Sequence, residues 1–137
     1  MLVIAAVGLF VALGLGGLMF ALRSSGDPQL TFVSHEPVLG DPGGRVVYYP
    51  KRQEAVVKAW SLVNLSPAQT YQVWALENGR PRSLTVTASS SLLEIDFFLH
   101  IDLSRVDEVI VTVEPAPGSF RPGNDVVVRM SREPVRP

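Results

Sequence analysis

The sequence predicts an all-β, antiparallel domain of about seven to eight strands, preceded by one N-terminal transmembrane α-helix. Three observations predict it. Residues 1–22 carry no charged side chain, and the 12 basic and 13 acidic side chains all lie from Arg23 onward. The rest of the chain, which holds all 11 Pro and seven of the 11 Gly, breaks into short β-branched and aromatic runs separated by turn formers. One of those runs, residues 92–102, alternates apolar and polar residues with a period of two, as a half-buried strand does.

The apolar segment comes first. As a helix, Leu2–Leu22 would be about 31 Å long, close to the hydrocarbon thickness of a bilayer. A soluble core helix would show a polar stripe, and none is present. A cleaved signal peptide is the competing reading. It needs a basic start, a shorter apolar stretch and a small-x-small cleavage site. Here no Lys or Arg precedes the apolar run, and Met19 and Arg23 spoil the registers at Ala21 and Ser25. An uncleaved anchor is therefore expected. Gly8, Ala12 and Gly16 share one helix face and would let a second helix approach closely. Gly and Ala are also simply frequent in membrane helices, and that plainer account is preferred. Arg23, followed closely by Asp27, gives little guide to orientation.

Residues 23–29 form a short polar linker. Strands are expected at Leu30–Ser34, Arg45–Tyr49, Ala55–Val63, Tyr71–Glu77, Arg82–Ala88, Leu92–Ile101, Val109–Glu114 and Asp125–Arg129. They make up a domain over residues 30–132, with a tail at 133–137. In residues 92–102, Leu93, Ile95, Phe97, Leu99 and Ile101 take the core face. Glu94, Asp96, His100 and Asp102 take the other, with Phe98 among them. Residues 102–108 are expected to form a single helical turn capped by Asp102.

Residues 65–83 hold the most specific local signals. Asn78-Gly79 lies between two strand-like runs, where a tight hairpin needs positive φ at both central residues. Upstream, Leu65, Pro67, Tyr71 and Val73 have the spacing of a tyrosine corner. In that corner a Tyr near the start of a strand bonds backbone a few residues earlier. The corner points to an immunoglobulin-like β-sandwich. Leu65, Val73 and Ala75 should face inward and Trp74 the other way. A Trp covered by a loop or a neighbouring strand is expected there, rather than an exposed apolar patch.

Little in the chain points to chemistry. The net charge of −1 offers no basic surplus for nucleic acid, and the absence of Cys excludes disulfides, thiolate nucleophiles and cysteine zinc sites. No phosphate-binding glycine loop, dinucleotide fingerprint, zinc-protease motif, EF-hand or nucleophile elbow is present. Glu94, Asp96, His100 and Asp102 share a strand face, but neighbours there are about 6.6 Å apart, so distant members cannot ligate one ion alone. A solvated outer face is the reading for them. His35 has no local partner. Asn64-Leu65-Ser66 fits a glycosylation sequon, but Pro67 and the corner make it a turn. Glu114 ends an apolar strand just before Pro115 and a Gly/Pro-rich loop. Its carboxylate is expected to accept loop N–H groups rather than to anchor a ligand.

Two of these segments together resemble the C-terminal domain of anti-sigma-K factors. The first is Tyr71, Gln72, Val73 and Trp74, followed by the hairpin. The second is Val111, Thr112, Val113, Glu114 and Pro115, followed by Gly118, Ser119 and Pro122. The resemblance covers about residues 30–130 and the apolar segment before them. It implies a single-pass inner-membrane protein whose β domain lies outside the cytoplasm as a sensory or interaction module, not an enzyme. In that family a cytoplasmic N-terminal domain sequesters a sigma factor until regulated proteolysis releases it. Here only Met1 precedes the apolar segment, and the His-x-x-x-Cys-x-x-Cys zinc motif of the sigma-binding part is absent. The chain is thus expected to be a fragment or to have a misassigned start, or else to be a homologue that keeps the anchor and outer domain alone.

The expected partners are the lipid bilayer and another envelope or membrane protein, with no nucleic acid, small-molecule substrate, cofactor or metal. Tyr71, Trp74, Glu114 and Pro115 are the candidate interaction or structural signature. Two rivals remain. The chain can be an accessory subunit of a larger membrane complex, docked through Gly8, Ala12 and Gly16. It can also be an enzyme with a site around Asp96 and His100.

Overall fold

The computed structural model describes residues 28–34, 40–87 and 94–134. Eight strands follow one another: β1 (Leu30–Ser34), β2 (Gly43–Tyr49), β3 (Glu54–Trp60), β4 (Gln69–Glu77), β5 (Arg80–Thr87), β6 (Ile95–His100), β7 (Glu108–Pro115) and β8 (Val126–Arg132). Each falls on a run expected from the sequence. Every pairing is antiparallel, and the strands join in one sheet of order β5-β4-β7-β8-β1-β2-β3-β6.

The boundaries differ where backbone geometry or a distant partner decides them. β3 stops at Trp60, short of Val63, because Ser61 takes φ 57° and leaves the extended region. β8 runs on to Arg132, since Met130, Ser131 and Arg132 pair with β1. The single turn expected at 102–108 forms at Ser104–Arg105, with Asp102 as its cap, and does not extend into a helix. Asp102 Oδ1 accepts the Ser104 N–H at 2.9 Å, and the Val106 N–H donates to Leu103 O at 3.1 Å.

A flat sheet of eight strands would be about 34 Å wide. This one curls, because a single core cluster draws on seven of its strands. The cluster includes Phe32 of β1, Val46 and Tyr48 of β2, Val57 of β3 and Ile95 of β6. From the other half come Val73 of β4, Val111 of β7 and Met130 of β8. The two four-stranded halves, β5-β4-β7-β8 and β1-β2-β3-β6, thus share one interior and are joined by the short β8–β1 ladder. The layers of the expected sandwich are continuous through that ladder. The two edge strands approach each other at one end, where the Arg82 guanidinium of β5 donates to Asp102 O, just past β6, at 2.9 Å. Residues 101–107 close that end. Leu103 and Val106 are fully buried, and Arg132 Nη2 donates to the carbonyls of Leu103, Ser104 and Val106.

The corner and the hairpin form as their residues dictate. The Tyr71 hydroxyl donates to Val63 O at 2.6 Å, and Leu65 packs half-buried against the core. Burial pushes the Tyr71 phenol above its ordinary 10.0, against the Val63 bond that lowers it. Asn78 (φ 51°) and Gly79 (φ 74°) turn the chain so that Glu77 pairs with Arg80. Among the described residues no helix is long and apolar enough to cross a membrane. The expected anchor at 1–22, with Gly8, Ala12 and Gly16, lies outside them, as do His35 and Leu93.

Candidate functional site

A half-buried sheet would expose the outward face of β4 and β7. Here that face is buried. Thr70, Gln72 and Trp74 of β4 stand opposite Glu114, Thr112 and Ile110 of β7, and all six are at most 3% exposed. The site on this face is built by the loop that follows β7, residues 116–125, which folds back across the strands.

The loop is held at two points. Gln72 grips Ser119 by both main-chain groups: its Oε1 accepts the Ser119 N–H at 2.9 Å, and its Nε2 donates to Ser119 O at 3.0 Å and to Ser83 Oγ at 2.9 Å. Glu114 Oε2 accepts the Gly123 N–H at 2.9 Å. The Glu114 carboxylate also takes hydrogen bonds from the hydroxyls of Thr112 and Ser119. Thr112 Oγ1 in turn accepts the Trp74 indole N–H at 2.9 Å. Trp74, Thr112, Glu114 and the loop therefore form one hydrogen-bonded chain. Burial alone would raise the Glu114 carboxyl. The Thr112 hydroxyl, the Gly123 N–H and the Ser119 hydroxyl outweigh it and hold the group below its ordinary 4.5. The loop can approach this closely because two of its residues are glycines. A Cβ on Gly123 would sit 3.2 Å from Glu114 Oε1. One on Gly118 (φ 132°) would sit 3.2 Å from both Gln72 Oε1 and Val86.

Between the two grips the loop turns outward. Phe120 is 104% exposed, the most exposed of the large apolar side chains among the described residues, with Arg121 exposed beside it. Val86, at the end of β5 next to Gly118, and Val63, in the loop bound by Tyr71, are exposed as well.

The signature residues divide. Trp74 and Glu114 belong to the network on the outer face. Tyr71 points inward to the core cluster. Pro115 is exposed at the end of β7, its carbonyl accepting the Gly118 N–H at 2.8 Å. Sequence reasoning missed Gln72, Thr112, Ser119 and Phe120 as parts of one site. The available signal was a polar residue at the outward position of two apolar strands, Gln72 in one and Thr112 in the other.

The other charged candidates lie elsewhere. Glu94, Asp96, His100 and Asp102 are exposed, and Asp96 Oδ2 lies 3.7 Å from Lys58 Nζ. Asp102 Oδ1 accepts from the Ser104 hydroxyl at 2.6 Å and from the Tyr48 hydroxyl at 3.1 Å. The Ser104 bonds, chiefly, hold its carboxyl below the ordinary 3.8. Among the described residues no three acids or histidines are grouped so as to hold a metal ion. An open cleft at the hairpin, lined by Glu77, Asn78, Arg80, Pro81 and Arg82, carries charges of both signs.

Fold and site together define an antiparallel all-β domain with a tyrosine corner and a loop clamped on the outer face of its central strands. The chain belongs to the family described as anti-sigma-K factor rskA, C-terminal, whose model matches residues 1–127. No curated protein and no solved structure matches it.

Proposed function

We propose that this chain is a membrane-anchored interaction or sensory domain of an anti-sigma regulatory system, with no catalytic activity of its own. Residues 1–22 span the inner membrane and the β domain lies outside the cytoplasm, where it meets another envelope protein. It needs no nucleic acid, small-molecule substrate or cofactor for this role. The observation that carries the reading is the family match, which takes in the apolar segment and the β domain together. The clamp supports it. Glu114, the one buried carboxylate among the described residues, is held ionised by the Thr112 hydroxyl and by donors of the loop, a state suited to fixing a loop rather than to exchanging protons. The tyrosine corner supports the immunoglobulin-like part of the reading.

Protease treatment of spheroplasts tests the placement. The β domain should be digested from outside while the chain resists alkaline extraction from membranes. A domain that stays protected until the membrane is broken would overturn it. A second reading, an accessory subunit of a membrane complex, would use the spacing of Gly8, Ala12 and Gly16 as its docking face. Its mark would be stoichiometric co-purification in mild detergent that Gly8→Leu abolishes.

A further inference from the structure

We propose that Phe120 and Arg121 form the contact tip for a second, different protein, one that offers an apolar pocket with a carboxylate at its rim. The inference deepens the reading above and rests on it for the position of the membrane.

The tip is preorganised. Ser119, just before Phe120, is gripped at both main-chain groups by Gln72, which is 2% exposed, and Gly123 is fixed by Glu114, which is 3% exposed. Buried polar groups thus order a short segment whose one aromatic ring makes no use of the interior. An isolated exposed apolar residue is ordinary. A ring held out by a buried clamp is different, because the entropy of ordering the loop is met in folding and not on association. Aromatic and Arg side chains are also the residues that most often anchor protein interfaces. Val86, beside Gly118, puts further apolar surface next to the tip.

Topology sets what can reach this surface. Leu30 begins β1 opposite Tyr48, and β1 runs antiparallel to β8, which runs antiparallel to β7. The chain therefore enters the sheet at the end that holds residues 101–107 and the Asn78-Gly79 hairpin. Residues 116–125 lie at the opposite end. The eight residues of β7 cover about 26 Å between the two. Residues 23–27, which separate the apolar segment from the described chain, reach at most about 18 Å. A bilayer holding residues 1–22 thus faces the entry end, and the tip points away from it. The occupant is a protein, and the exposed guanidinium of Arg121 selects one with a carboxylate beside its pocket.

The test places the photo-reactive p-benzoylphenylalanine at position 120 of the full chain, in membranes of its own host, with position 98 on the wall of β6 as the control. Phe98 is also exposed, so both variants keep the core intact. Irradiation should give one discrete protein adduct from position 120 and none from position 98, and Arg121→Glu should remove it with unchanged melting. Lipid adducts alone, an adduct of twice the chain mass, equal adducts from both positions, or no adduct would each overturn the proposal. Alkaline extraction is run in parallel. A chain that washes off the membrane yet still gives the Arg121-dependent adduct refutes the anchor and leaves the contact tip standing. A chain that stays in the membrane without the adduct refutes the tip alone.

Discussion

The carboxylate of Glu114 lies out of water among hydroxyl and amide donors, and its worth depends on being charged. With its folded pKa below the ordinary 4.5, it stabilises the fold above that value and loses the effect as pH falls through the folded value. Glu114→Gln should cost about 2 kcal/mol near neutral pH, and the gap from the parent should narrow in acid. Chemical unfolding across a pH series checks this, and parallel curves at all pH values would refute it. Tyr71→Phe removes the 2.6 Å bond to Val63 O and should cost about 1 kcal/mol by the same measurement. The Tyr71 phenol, raised above 10.0, adds the opposite trend, with stability lost as pH rises through its folded value. Of these two residues, Tyr71 was the more legible. Its partner lies eight residues away and the corner is a local pattern. The cover over Trp74 and the loop N–H on Glu114 were expected, but the burial of Gln72 was not, because outward positions of a period-two strand read as exposed. Its burial depends on a loop whose Ser119 lies 47 residues further along the chain.

At the scale of the element, the hairpin and the end cap are the informative cases. Gly79 has φ 74° and open space where a Cβ would go, so Gly79→Ala meets backbone strain alone. It should cost about 1 kcal/mol, and Gly79→Asn clearly less, since Asn tolerates the left-handed region. Equal losses in thermal unfolding would set the strain argument aside. Arg132 joins the last strand to the cap through three carbonyls. Arg132→Met should cost about 2 kcal/mol, with faster amide exchange in residues 103–107 as its local mark. The eight strands were readable because turn formers and β-branched runs are local signals. The extension of β8 to Arg132 and the early stop of β3 were not, because one depends on pairing with β1 and the other on a single left-handed residue.

For the whole molecule, burial is uneven in a way that fixes where it opens first. β4 and β7 are covered on both faces, while β5 and β6 are the edges. Amide exchange should be slowest around Val73 and Val111 and fastest along β5, and uniform protection would contradict the two-sided core. The continuity of the eight strands was the least legible feature, since strand order is set by contacts far apart in sequence. One of those contacts, the short β1 ladder, has a mechanical consequence. β1 is flanked by β2 and β8, in register with both, and its first residue faces the end where the chain enters. A pull at residue 29 against a load on Phe120 runs along the strand axes, so the hydrogen bonds on both sides of β1 are strained together and do not unzip singly. A pull along that line therefore meets shear across two ladders, where a pull across the strands would meet one bond at a time.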